Sequence, residues 1–359
     1  AGTTGSITLN TATVALSGTV ANIKLAFAGS VTTHTGTLEI SDANTTDITA
    51  TDITTINGTN TGTITVANAI DINGSGSEVE AAFAAIDTNT GNATANISGT
   101  DYTVAQLKAI NNALSGTLTL NDVTVALVGS AADIKAALAG TFAATYTGNV
   151  TISDANGTGI TATDISTIAA ATDGTVTVTN NINITGTAAE ITTAVGVVDT
   201  FSGTPTAALS NAHTLAELKA INNAISGDIT LNSNAVALTG STADVKAALA
   251  GNVGDVYTGD VTLNDANGVG IAAADISTIA GDTTGDVTVS NNINITGNSD
   301  VIATAVGNVN TFSGTPTATL GDAHTLAELK AINNALSGQL TLNDYTVTLS
   351  GSSSDVAAA

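Results

Sequence analysis

The chain has 359 residues, a net charge of −24 and no Cys, Met, Trp or Arg, so its six basic residues are all lysine. That charge excludes a nucleic-acid partner, because phosphate binding needs clustered Lys or Arg, and it excludes docking on an anionic membrane surface. With 43% apolar but only 3% aromatic residues, the core has to be made of small and branched aliphatic side chains, without disulfides or thiol chemistry.

In chain order, the first strand-like stretch is GSITLN at 5–10, and it returns at 116–121, 227–232 and 338–343 in steps of 111 residues. The text KAINNA at 108–113 returns at 219–224 and 330–335 with the same step. Residues 1–115 are therefore read as a partial first copy. Residues 116–226 and 227–337 are full copies, and 338–359 begins another. Neither end carries the polar cap that stacked repeats need for solubility, so the stretch is expected to belong to a longer array. No charged-then-apolar leader opens it and no apolar run of about 18 residues interrupts it. Direct membrane insertion is not expected, and an export signal would lie outside this stretch.

Within the second copy, units of about 28 residues open at Gly116, Gly148, Gly174 and Gly203. Each begins with alternating apolar and polar residues: Leu118-Thr-Leu120, Val150-Thr-Ile152, Val176-Thr-Val178. A period of two with one apolar face marks a half-buried strand. A second strand is expected at 123–127 and at 182–184. The units opening at Gly148 and Gly203 look too short for one, and Pro205 weakens the first strand of the latter. Each unit then closes with a capped helix start, as in Ser130-x-x-Asp133, Thr161-x-x-Asp164, Thr187-x-x-Glu190 and Thr214-x-x-Glu217. In these capping boxes the hydroxyl serves an N3 amide, and the acid answers the N-cap amide. Thirteen such starts run along the chain, eleven with Ser or Thr; Ala272 and Asn298 are the exceptions. Helices of two or three turns are marginal alone in water, so neighbouring units must complete each core. The fold class expected is an α/β repeat solenoid: one or two short strands per unit stacked into a continuous sheet, with a short capped helix per unit.

Asp154-Ala-Asn156-Gly157 and Asp265-Ala-Asn267-Gly268 set acids and amides at a calcium-loop spacing, with Asp42 and Asn44 equivalent in the first copy. Asp154, Asn156, Asp265 and Asn267 are thus the calcium candidates. The competing reading is a turn, since an EF-hand loop needs more oxygen ligands and a closing Glu, while Asn-Gly supplies positive φ. No other cofactor is expected. His213 and His324 precede helix caps and His34 falls in a different loop; none has triad or metal-ligand spacing. No catalytic residue is expected. Thr8, Thr119, Thr151, Thr177, Thr230, Thr262, Thr288 and Thr341 face outward from first strands, an array that could order water, although Thr is also a favoured exposed strand residue. The six lysines are read as weak surface pairs or as lateral contacts between neighbouring arrays.

Residues 275–287 (DISTIAGDTTGDV) and 186–191 (GTAAEI) resemble the giant Ala/Gly/Thr/Asp-rich repeat proteins of bacterial, notably cyanobacterial, cell surfaces, often labelled haemolysin-like or calcium-binding. The resemblance implies an exported surface or matrix protein. The glycine-rich nonapeptides behind the calcium label do not occur here. The expected role is a structural segment of an extracellular filament, sheath or surface layer that self-associates with further copies. The alternative is the stalk of an adhesin whose tip lies elsewhere, with an ice- or calcium-binding array less favoured.

Overall fold

The computed structural model describes residues 7–29, 31–251 and 253–359. They form an α/β repeat of solenoid type, in which short parallel strands alternate with short helices. The chain divides into two compact units. The first holds residues up to Ala155 with Asp164–Asn180 and Val197–Ser202; the second holds Asn156–Thr163, Asn181–Gly196 and Gly203–Ala359.

The first unit contains α1 (Val20–Phe27), α2 (Ala50–Thr59), α3 (Gly76–Ala85), α4 (Val104–Ala113), α5 (Ala131–Leu138) and most of α6 (Ala162–Ala170). Its first sheet joins Leu16–Gly18, Leu38–Ile40, Ile64–Val66 and Thr88–Asn89. The second joins Asp47–Thr49, Asp71–Gly74, Thr94–Ile97, Thr117–Leu120 and Thr141–Phe142, with Ile48, Ile72, Ala95 and Leu118 in one inward row. The third joins Leu127–Gly129, Val150–Ile152, Val176–Val178 and Thr200–Phe201. The coils ending in α2 and α3 place one strand in the first sheet and the next in the second. After α4 the chain returns to the second sheet at Thr117–Leu120 and opens the third at Leu127–Gly129. The one continuous sheet expected from the sequence is thus replaced by several short sheets, with one handing over to the next within each copy.

The second unit repeats this plan with α7 (Ala188–Val197), α8 (Leu215–Ala224), α9 (Thr242–Leu249), α10 (Ala273–Asp282), α11 (Ser299–Gly307), α12 (Leu326–Ala335) and α13 (Ser353–Ala358). One sheet joins Gly159–Thr161, Asn183–Gly186, Thr206–Leu209 and Ile229–Thr230. Another joins Leu238–Gly240, Val261–Leu263, Val287–Val289 and Thr311–Phe312; the last joins Gly270–Ala272, Asn294–Gly297, Thr317–Leu320 and Leu340–Thr341. The handover follows α8, one 111-residue step after the handover that follows α4.

Each helix begins one residue after its expected cap. The strands differ from expectation in three places. Residues 123–127 form a turn with only Leu127 entering a strand, because the Asp122 carboxylate accepts from the amide and hydroxyl of Thr124 at 2.8 and 2.6 Å. The unit opening at Gly148 does have a second strand, Gly159–Thr161. Three residues suffice because Thr161 ends the strand and directly precedes α6. Pro205 does not interrupt a ladder: Thr206–Leu209 begins just after it and lies between two neighbours, so the missing proline N–H falls outside the pairing.

Inward positions are Ile, Val, Leu and Ala at almost zero exposure, as at Ile53, Ile72, Ile165, Ile184 and Ile276. Ile191 and Ala194 show the same on the inner face of α7. The thin core expected from the composition is what the fold contains.

Candidate functional site

The charged chemistry of the chain runs from helix to helix. Every lysine lies five residues after its helix cap, and every one pairs with an aspartate three residues after the cap of the following helix. The pairs are Lys24–Asp52, Lys108–Asp133, Lys135–Asp164, Lys219–Asp244, Lys246–Asp275 and Lys330–Asp355. Both partners are partly exposed throughout. The lysines are therefore engaged along the chain's own coils, as half-exposed surface pairs.

The acid at the third position sorts into two classes. Where it is Glu, as at Glu78, Glu190, Glu217 and Glu328, its longer side chain reaches the N-cap amide at 2.8 Å and closes the box. Gln106 does the same at Thr103. Where it is Asp, the arm is one methylene shorter. Asp133 and Asp244 accept from the cap hydroxyls of Ser130 and Ser241 and turn the other oxygen to lysine. The expectation that such an acid answers the cap amide is thus corrected at Asp133 and Asp244. Lys108, Lys219 and Lys330, helped by the serine hydroxyls, hold Asp133, Asp244 and Asp355 below the usual carboxylate range. The cap amides of Ser75, Thr187 and Thr325 do the same for Glu78, Glu190 and Glu328.

A second ladder caps the helices in trans, and it takes up the calcium candidates. Asp154 Oδ2 accepts from the first amide of α5, at Ala131, at 2.7 Å. Asp265 Oδ2 accepts from Thr242 N at 2.9 Å and Thr242 Oγ1 at 2.6 Å, and Asp42 does the same for Val20 N at 2.7 Å. Asn211 and Asp322 serve Ala188 and Ser299 in the same way. Asn156 and Asn267 accept from the amides of Asn181 and Asn292, at 3.0 and 2.9 Å. Gly157 and Gly268 take φ of +78° and +77°, as the turn reading requires, and Thr45 takes φ 60° at the first-copy equivalent. Among the described residues no group of three or more His, Asp or Glu comes together as a metal cage.

Two histidines and most tyrosines lie at the handovers, and His324, 5% exposed, holds the place ahead of α12 that His213 holds ahead of α8. Tyr102 and His213 are equivalent, each just ahead of a helix cap, 3% exposed. Each faces a tyrosine of the following coil, Tyr146 or Tyr257, whose hydroxyl donates to the carbonyl of Val125 or Val236. His34 occupies the Tyr146 place in the first copy: Nε2 lies 2.7 Å from the Val14 carbonyl and Nδ1 2.8 Å from Asn60 Oδ1. It therefore belongs with the tyrosines, despite the one-residue slip that hid the correspondence. Burial pushes the Tyr102 and Tyr257 hydroxyls up to about 12.

The outward threonines are divided among several sheets. Thr151 pairs with Thr177 in one sheet and Thr262 with Thr288 in another, while Thr119, Thr230 and Thr341 stand in other sheets and Thr8 lies outside any strand. Neighbouring outward positions bond laterally, as from Thr206 Oγ1 to Asn183 Oδ1 at 3.1 Å and from Thr317 Oγ1 to Asn294 Oδ1 at 3.2 Å.

The lysine–aspartate rule and the trans caps were legible in the sequence as fixed offsets between helix starts, but reading each unit alone concealed them. Compared with known proteins, the chain matches no protein-family model and no curated protein.

Proposed function

We propose that this chain is a structural stretch of an extracellular filament, sheath or cell-surface layer, of the same character as the giant bacterial surface repeats. It works by stacking and associates with further copies of its own kind. One observation carries this reading. All six lysines bond to the next helix, and acids and amides recurring at the coil period cap the helix before them. Such side chains serve coil-to-coil cohesion, the property a load-bearing polymer needs.

Imaging the native assembly by negative stain tests the proposal. Long uniform fibres or a layer, ordered at the repeat spacing and labelled by an antibody to this chain, are the expected result. Label confined to dispersed intracellular particles would overturn it, and isolated threads each ending in a distinct head would make it an adhesin stalk instead.

A further inference from the structure

The second unit encloses two histidine rings, His213 and His324, whose Nδ1 atoms are buried without a partner, and His213 is the one that faces a tyrosine. His213 Nε2 lies 3.3 Å from the Tyr257 hydroxyl, and the two rings stand 6.0 Å apart at 58°. That hydroxyl already donates to the Val236 carbonyl, so its oxygen accepts and Nε2 carries the proton. Nδ1 is buried without a partner. The groups facing the ring are Tyr257 from the following coil and Glu217 from the first turn of α8, whose carboxylate is engaged by Thr214 at 2.8 Å. Burial lowers the pKa of the ring, and Glu217 opposes it.

The preceding copy supplies an internal control. There the same place holds Tyr102, whose hydroxyl donates to the Asp122 carbonyl at 2.5 Å, a group that stays neutral throughout the physiological range. Between α9 and Val261–Leu263, the chain beside His213 forms isolated bridges, Val253 to Ile229 and Tyr257 to Thr283. Besides these bridges, the amides of Thr258 and Gly259 donate to the Asn234 carbonyl at 2.8 and 2.9 Å, and no residue from Val253 to Gly259 joins a strand.

We propose that His213 is an acid-sensitive latch: a proton at Nδ1 creates a buried N–H with no acceptor, drives the ring from Tyr257 and releases residues 253–259. Release uncovers the strand Ile229–Thr230, to which Val253 is bridged. A ring that binds its proton less readily folded than unfolded stabilises the coil at high pH, and that stability is lost as pH falls below about 6.5.

Hydrogen exchange of the full chain tests this at pH 7.5 and 5.5, with rates corrected for intrinsic pH dependence. Protection of residues 253–259 is expected to fall about tenfold in the wild type and to stay constant in His213→Tyr, which copies Tyr102. Unchanged protection in the wild type, or an equal loss in the variant, overturns the latch. Should His213→Tyr fail to fold, the NMR titration of the His213 ring in the wild type decides. A midpoint below that of histidine in an unfolded peptide supports the latch, and one at or above it refutes it.

Discussion

Lys108 Nζ lies 2.6 Å from Asp133 Oδ1, joining the fifth position of one helix to the third position of the next. The same bond recurs wherever a lysine occurs. Helices whose predecessor lacks that lysine have Glu, Gln or, at α11, Val in the third position. Lysine and aspartate therefore act as a matched pair across one coil boundary. Exchanging them, Lys108→Asp with Asp133→Lys, is expected to recover most of the stability lost in either single variant. Each single change should lower the melting temperature only slightly, by less than about 3 °C, and the loss should shrink in high salt. Thermal unfolding of the four proteins in low and high salt checks this.

Acid should loosen the coils in a defined order. Asp133, Asp244, Asp355, Glu78, Glu190 and Glu328 all have folded pKa values below their ordinary 3.8 or 4.5. Their stabilisation is complete above those ordinary values and is lost as pH falls through the lower folded ones. Helical circular dichroism followed from pH 6 to 2 should hold until about pH 4 and then decline. The His213 opening precedes it as a local event.

The trans cap at Asp154 makes the calcium question measurable. Asp154→Ala should cost about 1 kcal/mol by stranding the first amide of α5, while Asp154→Asn, which retains an acceptor, should cost less. Millimolar calcium should leave the urea midpoint of the wild type unchanged. A calcium-dependent rise abolished by Asp154→Ala would show the turn reading to be mistaken.

Two glycines should respond in opposite directions. A methyl at Gly285 would stand 2.4 Å from the Gly259 carbonyl oxygen of the neighbouring coil, so Gly285→Ala should destabilise by about 1–3 kcal/mol. Gly196 lies within α7 with nothing near the added carbon, and Gly196→Ala should stabilise by about 0.5–1 kcal/mol. Urea midpoints of the two variants provide the comparison.

Helix starts were legible because Ser or Thr followed by an acid three residues later is a local signal with a local cause. First strands such as Val150–Ile152 were legible for the same reason. Gly159–Thr161 was not, since Ile160, its one apolar residue, shows no alternation by itself, and pairing with Asn183–Gly186 makes it a strand. The turn at 123–127 was hidden because Val123 and Val125 imitate a strand, and Asp122 overrides them through Thr124. For the site, the spacing of Asp154 and Asn156 was visible, yet their partners lie 23 and 25 residues away in sequence. Local pattern reading does not span that distance. His34 was obscured by a single-residue slip, which its contact with Val14 resolves.

The handover after α4 and again after α8 bears on how such a polypeptide avoids mistaking one of its turns for another. A chain of look-alike segments risks folding out of step, each strand adopting a neighbour's place while still hiding its oily face. Because the described sheets each end after four or five strands, a shift by one turn would bring Tyr146 or Tyr257 into the place that the smaller Thr172 or Thr283 fills. It would also separate lysine from aspartate. Only a jump of one whole 111-residue copy restores every match, so the long period limits the errors that the short period invites.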